Sequence, residues 1–135
     1  MNNPKNQKSI STFTKLEDYK VFDYEIPEIF LDFVIKKNAV HVTTKLKLVK
    51  RNKNTKNLVL DGTDIFIKKI FIDDSLLEEE NYAQQKTNLK IKNINKDSFS
   101  LRVEGIIKPK ENSSLLGMYE SNGIITTQCE AEGFR

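Results

Sequence analysis

The stretch VHVTTKLKLVK, residues 40–50, decides the fold class. Val40, Val42, Thr44, Leu46 and Leu48 fall on one parity, and His41, Thr43, Lys45 and Lys47 on the other. A period of two with apolar residues on one side describes a strand whose one face is buried and whose other face meets water. Downstream the polar run KRNKNTKN, residues 50–57, reads as a turn, and LVLDG follows with Asp61-Gly62 as a further turn signal. Ile65, Ile67 and Phe71 lie in the next apolar run, and Leu89, Ile91 and Ile94 flank Lys90 and Lys92. Phe99, Leu101 and Val103 then alternate with Ser100, Arg102 and Glu104, and Gly105, Ile106 and Ile107 extend that strand towards Pro109. A last pair, LLGMYE and GIITTQ, encloses Ser121-Asn122-Gly123. Asn-Gly tolerates positive φ at both central positions, so it predicts a two-residue hairpin.

Seven or eight short strands at this spacing predict an all-β fold, an antiparallel β-sandwich. Helical periodicity is weak throughout. Ser11 or Thr12 is placed to cap one short turn towards Tyr19, and Pro27 prevents a longer helix. Residues 1–14 are polar and are expected to form a disordered N-terminal tail, which leaves 15–135 as one domain.

At 135 residues, with 38% hydrophobic and 30% charged side chains, the chain is long enough for one core and too short for a large enzyme. A lone cysteine, Cys129, has no intramolecular disulfide partner, and no run approaches the length of a membrane span, so a cytoplasmic chain with no membrane partner is expected. Net charge is +3, from 22 basic and 19 acidic residues. Ten of the bases crowd between Lys36 and Lys69, which fits either a nucleic-acid footprint or a solvated strand face and turn. The bases of the strand and turn, Lys45 to Lys56, have no interleaved aromatics, and 19 of the 22 bases are Lys, so no nucleic-acid partner is expected. With a single His, a two-His zinc site cannot be built within the chain, and His41 reads as a surface residue. Glu78, Glu79 and Glu80 lack calcium-loop spacing and read as an exposed hairpin end. Asn112-Ser113-Ser114 spells a glycosylation sequon that an unexported chain would not use.

The ending IITTQCEAEGFR, residues 124–135, differs in character: Gln128, Glu130 and Glu132 share one parity next to the thiol. By composition these are solvated residues of a last edge strand. The segment NSSLLGMYESNGIITTQCEAEGFR, however, resembles the end of the N-terminal β-sandwich domain of aminopeptidase N, the bacterial zinc aminopeptidases of the gluzincin class. KLEDYKVFDYEIPEIFLDFVI resembles the opening of that domain, and LVLDGTDIFIKKIFIDD resembles its central strand pair. Together they span residues 15–135, with only the pattern retained between Leu76 and Asn95.

The resemblance implies a segment that works beside a thermolysin-like catalytic domain. That domain carries the G-A-M-E-N and H-E-x-x-H motifs and the zinc, none of which this sequence contains. It also implies that Glu130 binds the free α-amine of a peptide N-terminus while Gln128 lines the pocket for the first side chain. No catalytic or metal-binding residue is expected within the chain, and the segment alone is expected to be inactive. Cys129, between the two contact residues, is expected to turn into packing. Leu115, Leu116, Met118 and Phe134 are expected to form an apolar surface, with Phe134 and Arg135 anchoring the neighbouring domain. A free-standing peptide- or protein-binding module of the same fold is the alternative reading.

Overall fold

The computed structural model describes residues 15–129. Within them ten strands are connected by turns and three 3-10 turns, and every strand pairing is antiparallel. A five-stranded sheet is ordered β1 (Tyr24–Ile35), β2 (Val40–Lys50), β8 (Ser98–Ile107), β4 (Phe66–Ile72), β5 (Ser75–Leu76). A second sheet is ordered β3 (Leu58–Asp61), β7 (Asn88–Ile91), β6 (Tyr82–Gln84). The hairpin of β9 (Gly117–Ser121) and β10 (Ile124–Gln128) pairs with neither sheet.

The period of two in β2 holds. Val40, Leu46 and Leu48 are buried, Val42 and Thr44 are half-buried, and His41, Lys45 and Lys47 are exposed. The pairs Leu46↔Leu101 and Leu48↔Phe99 carry the buried face into β8, and Ile72↔Leu101 carries it into β4. Leu58, Leu89 and Ile91 of the small sheet, with Ile94 just beyond it, close the core from the other side, as the sandwich reading expects. Tyr24 seals one end: its ring meets Phe99 edge-on at 6.1 Å, and its hydroxyl donates to the Asn57 carbonyl at 3.1 Å. Burial, with the Asp23 carboxylate adding, lifts its phenol above the usual range.

The structure departs from the sequence reading at several points. Asp61-Gly62 is not itself the turn: Asp61 still pairs with Asn88 at the end of β3, the chain bends at Thr63-Asp64, and β3 and β4 enter different sheets, because β3 pairs with β7 and β4 with β8. The early turn is a single 3-10 turn, Leu16–Asp18, with no side-chain cap; Ser11, Thr12 and the rest of the 1–14 tail lie outside the described residues. Pro27 sits in the long strand β1, where the register with β2 shifts between Glu25 and Glu28, the kind of bulge at which an edge strand accommodates proline. Lys50 is not part of the exposed turn. It shares the parity of Leu46 and Leu48, is buried, and its ammonium donates to the Ile94 carbonyl at 2.8 Å. Glu78–Glu80 are exposed, with Glu79 and Glu80 inside the 3-10 turn Glu79–Asn81 between β5 and β6.

The small sheet covers only part of the large one. Among the described residues, Leu31 on the core-facing side of β1 remains 50% exposed.

A carboxylate ties the β4–β5 turn to β8. Asp73 accepts from the Ser100 amide at 2.8 Å, from the Ser100 hydroxyl at 3.1 Å and from Lys96 at 2.5 Å. Lys96 first, then the Ser100 amide, holds its carboxyl below the usual range. A lowered folded-state value stabilises the fold above the unfolded carboxylate range and is lost as pH falls through the folded value. Asp73→Ala should therefore cost about 1 kcal/mol in urea melts at neutral pH, and the difference from wild type should vanish in acid.

Candidate substrate-binding site

Gln128 is delivered by the β9–β10 hairpin, and its position follows from two local devices. The first is the turn. Ser121 pairs with Ile124, so Asn122 and Gly123 alone form the loop, at φ 50° and φ 80°. Two consecutive positive φ values make the primed turn that Asn-Gly favours and that matches strand twist. The register then fixes Gln128 opposite Gly117.

The second device is Asn112, which the sequence presents only as a sequon. Its side-chain amide donates to the Leu116 carbonyl at 2.7 Å and the Met118 carbonyl at 2.9 Å. Its oxygen accepts from the Ser114 amide at 3.0 Å and the Ser114 hydroxyl at 2.7 Å. These contacts fold the 112–118 loop and hold Leu115 at φ 58°, a conformation that a branched side chain adopts only when its surroundings impose it. Leu115 and Leu116 are exposed and Met118 is half-buried, so the apolar surface expected here is present in its described part; Phe134 lies outside the described residues. The hairpin rests against the 3-10 turn at Pro109–Glu111, with buried Pro109 and Val40 and half-buried Ile125 around a small void and Lys110 reaching Glu120 at 3.8 Å.

Gln128 is exposed at the end of β10. Cys129 is also exposed, which corrects the expectation that it packs inward: among the described residues the two-stranded hairpin pairs with neither sheet. Glu130, the residue expected to meet an amine, lies outside the described residues, as do Glu132 and Arg135.

Other candidates resolve differently. The basic stretch is dispersed: Lys50 is buried, Lys53 pairs with Asp97 at 2.6 Å, and Lys45 lies 5.4 Å from the centre of the Phe30 ring. Arg102, opposite Lys45, stacks on Phe71 at 3.6 Å, so neighbouring strands supply the aromatics that the bases lack in sequence. An open cleft of about 630 Å³ lies between Lys68–Ile70 and Leu76–Glu80, on elements other than the hairpin. Among the described residues no three His, Cys, Asp or Glu side chains converge on a point where a metal would sit, and no helix is long and apolar enough to cross a membrane.

No family model matches the chain. Curated relatives do. The chain is 33% identical over 119 residues to aminopeptidase N of Haemophilus influenzae, 33% over 121 residues to that of Escherichia coli K12, and 34% over 120 residues to that of Caulobacter vibrioides. These alignments cover 87–89% of this chain but only 13–14% of the relatives, so the chain spans about one-seventh of their length. Among solved structures, Legionella pneumophila aminopeptidase A in complex with aspartic acid superposes with a TM-score of 0.77 at 32% identity, over 89% of this chain and 14% of that one. An M1 zinc metallopeptidase of Deinococcus radiodurans shares the fold, with a TM-score of 0.64 at 12% identity, over 82% of this chain and 27% of its own.

Because four side-chain hydrogen bonds of Asn112 hold the loop before β9, Asn112→Ala should lower stability by roughly 1–3 kcal/mol. Hydrogen exchange should show the loss concentrated in residues 112–128, and a uniform change across the core strands would contradict this role.

Proposed function

From a chain related in sequence and fold, over nearly all its length, to one segment of the bacterial aminopeptidases N, we propose that residues 15–135 act as a domain or domain part of a zinc metallo-aminopeptidase. Such an enzyme removes residues from peptide N-termini. The observation that carries this reading is the continuous alignment across 88% of the chain, together with the Q-C-E-A-E-G-F-R ending.

In this reading Glu130 is the anionic partner of the substrate's α-ammonium. A charge-assisted hydrogen bond between them is open only to a free amine, and an internal peptide segment would leave the carboxylate desolvated and unpaired. Specificity for chain ends then follows from one residue. Fixing the amine also fixes how far the peptide enters, and so which peptide bond reaches the reacting centre. Gln128, exposed at the end of β10, lines the pocket for the first side chain, and the primed turn and Asn112 set the strand that carries it.

Zinc, implied by the relatives, would supply an activated water and polarise the scissile carbonyl. No set of ligands converges among the described residues, which do not fit it, and in this reading a thermolysin-like domain of the parent enzyme would hold the ion. The exposed Leu115 and Leu116 suit contact with that domain, and the chain alone should not hydrolyse peptides.

The reading has direct tests. The reading frame beyond Arg135 should encode H-E-x-x-H; a genome with no such continuation and no complementing chain would leave a free-standing binding module. In a chain that carries this segment with its catalytic domain, Glu130→Ala should raise KM and lower kcat/KM by an interaction of about 2–5 kcal/mol. Gln128→Ala should change the preference among first residues far more than it changes the maximal rate. Unaltered kinetics in both variants would show that neither side chain meets substrate.

A further inference from the structure

One asparagine of the sequence precedes a glycine, and that pair, Asn122-Gly123, is the whole loop of the β9–β10 hairpin. The carboxamide carbon of an asparagine lies within ring-closing reach of the next residue's backbone nitrogen. Glycine at that next position removes the Cβ that would crowd the approach. The hairpin ladder closes at Ser121↔Ile124, and among the described residues neither the Gly123 amide nor the Asn122 carboxamide has a hydrogen-bond partner. Comparable groups elsewhere are engaged. The side-chain amide of Asn112 donates to the Leu116 and Met118 carbonyls, and that of Asn52 to the Asp23 carboxylate at 3.1 Å. In the other acyl-glycine pair of this kind, Asp61-Gly62, the Gly62 amide donates to the Thr87 carbonyl at 3.0 Å while Asp61 is held opposite Asn88.

Ring closure fixes ψ of residue 122 at a value that a primed turn does not adopt, so the turn must open first. The hairpin is suited to that. Among the described residues it pairs with neither sheet, and a two-stranded ribbon without further strands is only marginally stable. Local openings of such elements cost far less than global unfolding. What opposes the opening is the Asn112 clasp before β9 and the Lys110–Glu120 contact. Both reacting groups belong to adjacent residues of one loop, so the site is complete within the hairpin and needs no partner.

We propose that Asn122 is a site of spontaneous modification, at which the hairpin ages into an aspartyl form and an isoaspartyl form. The deprotonated Gly123 nitrogen bonds to the Asn122 Cγ, the Cγ–Nδ2 bond breaks, and the nitrogen leaves as ammonia with the proton that the amide gave up. Water then opens the cyclic imide. Cleavage at Cγ leaves aspartate on an unaltered backbone, and cleavage at the main-chain carbonyl leaves isoaspartate, whose Cβ has entered the main chain. The two products differ in consequence. Asp-Gly is itself a primed-turn sequence and keeps the register, whereas the extra backbone atom of isoaspartate breaks the two-residue loop and frees Gln128 from its place opposite Gly117. The isoaspartyl carboxylate is the group that isoaspartyl-specific methyltransferases esterify. The proposal rests on this turn alone and is independent of the aminopeptidase reading.

Incubation of the 135-residue chain at neutral pH, followed by tryptic mapping of the peptide Glu111–Arg135 in a mass spectrometer, reads the site directly. Conversion of amide to acid should appear at Asn122 before any other described asparagine. An isoaspartyl-specific methyltransferase with labelled methyl donor should mark residue 122 and leave Asp61 unmarked. Asn122→Gly, which keeps a primed-turn sequence, should abolish the label. Asn112→Ala should speed conversion at Asn122 by roughly fivefold or more, the gain expected from a hairpin that opens at least about 1 kcal/mol more readily. In the isoaspartyl fraction, amide exchange should quicken across residues 117–128. Asn122 intact when other asparagines have converted would overturn the proposal, and so would aspartate as the sole product, which signals direct hydrolysis. Label at Asp61 equal to that at 122, or a rate untouched by Asn112→Ala, would overturn the role given to the open hairpin.

Discussion

The structure depends on one strand being read from both sides at once. β2 pairs with β1 on one edge and with β8 on the other, and its buried parity aligns Leu46 and Leu48 with Leu101 and Phe99. A slip of one residue in either ladder would turn that whole apolar set towards water and bring Lys45 and Lys47 inward. The small sheet, the seat of Tyr24 and the inward turn of Lys50 all take their positions from this alignment. Lys50 ends the buried parity and still satisfies its ammonium, because the chain after β7 brings the Ile94 carbonyl to it.

How much of this was legible in sequence depends on whether the signal is local. β2, β8 and the Asn-Gly hairpin announce themselves through alternation and turn chemistry, both of which act within a few residues, and all three are where the sequence places them. The assignment of β3 and β4 to different sheets is set by partners far along the chain, β7 and β8, and nothing within LVLDGTDIFIKK records it. Lys50 was readable by parity alone, yet its charge and the polar run after it suggested a turn. Asn112 gave a misleading signal, since its spelling suggests a modification while its geometry makes it the clasp of a loop.

The candidate site was readable to a different degree. Its residue types come from a resemblance, and the comparisons with aminopeptidase N bear out that resemblance over nearly the whole chain. The scaffold that carries the site is physical: a primed turn fixes the register, the register fixes Gln128, and Asn112 fixes where the hairpin begins. Cys129 escaped the reading because alternation predicts sidedness only where a second layer gives the sides different surroundings, and among the described residues the hairpin pairs with neither sheet.

The two partners of β2 also differ in how far the chain must travel to reach them. Ile35 meets Val40 across a four-residue connection, whereas Leu48 meets Phe99 only after about fifty residues have been looped out. Loop-closure entropy grows with the logarithm of that length, a difference of about 2 kcal/mol. The β1–β2 ribbon therefore has the shorter search, on the microsecond scale of hairpins, and the core face of β2 waits for β8. During that interval IFLDFVI is exposed beside an equally bare β2, so the order of assembly makes the yield of refolding a question of protein concentration as well as of temperature.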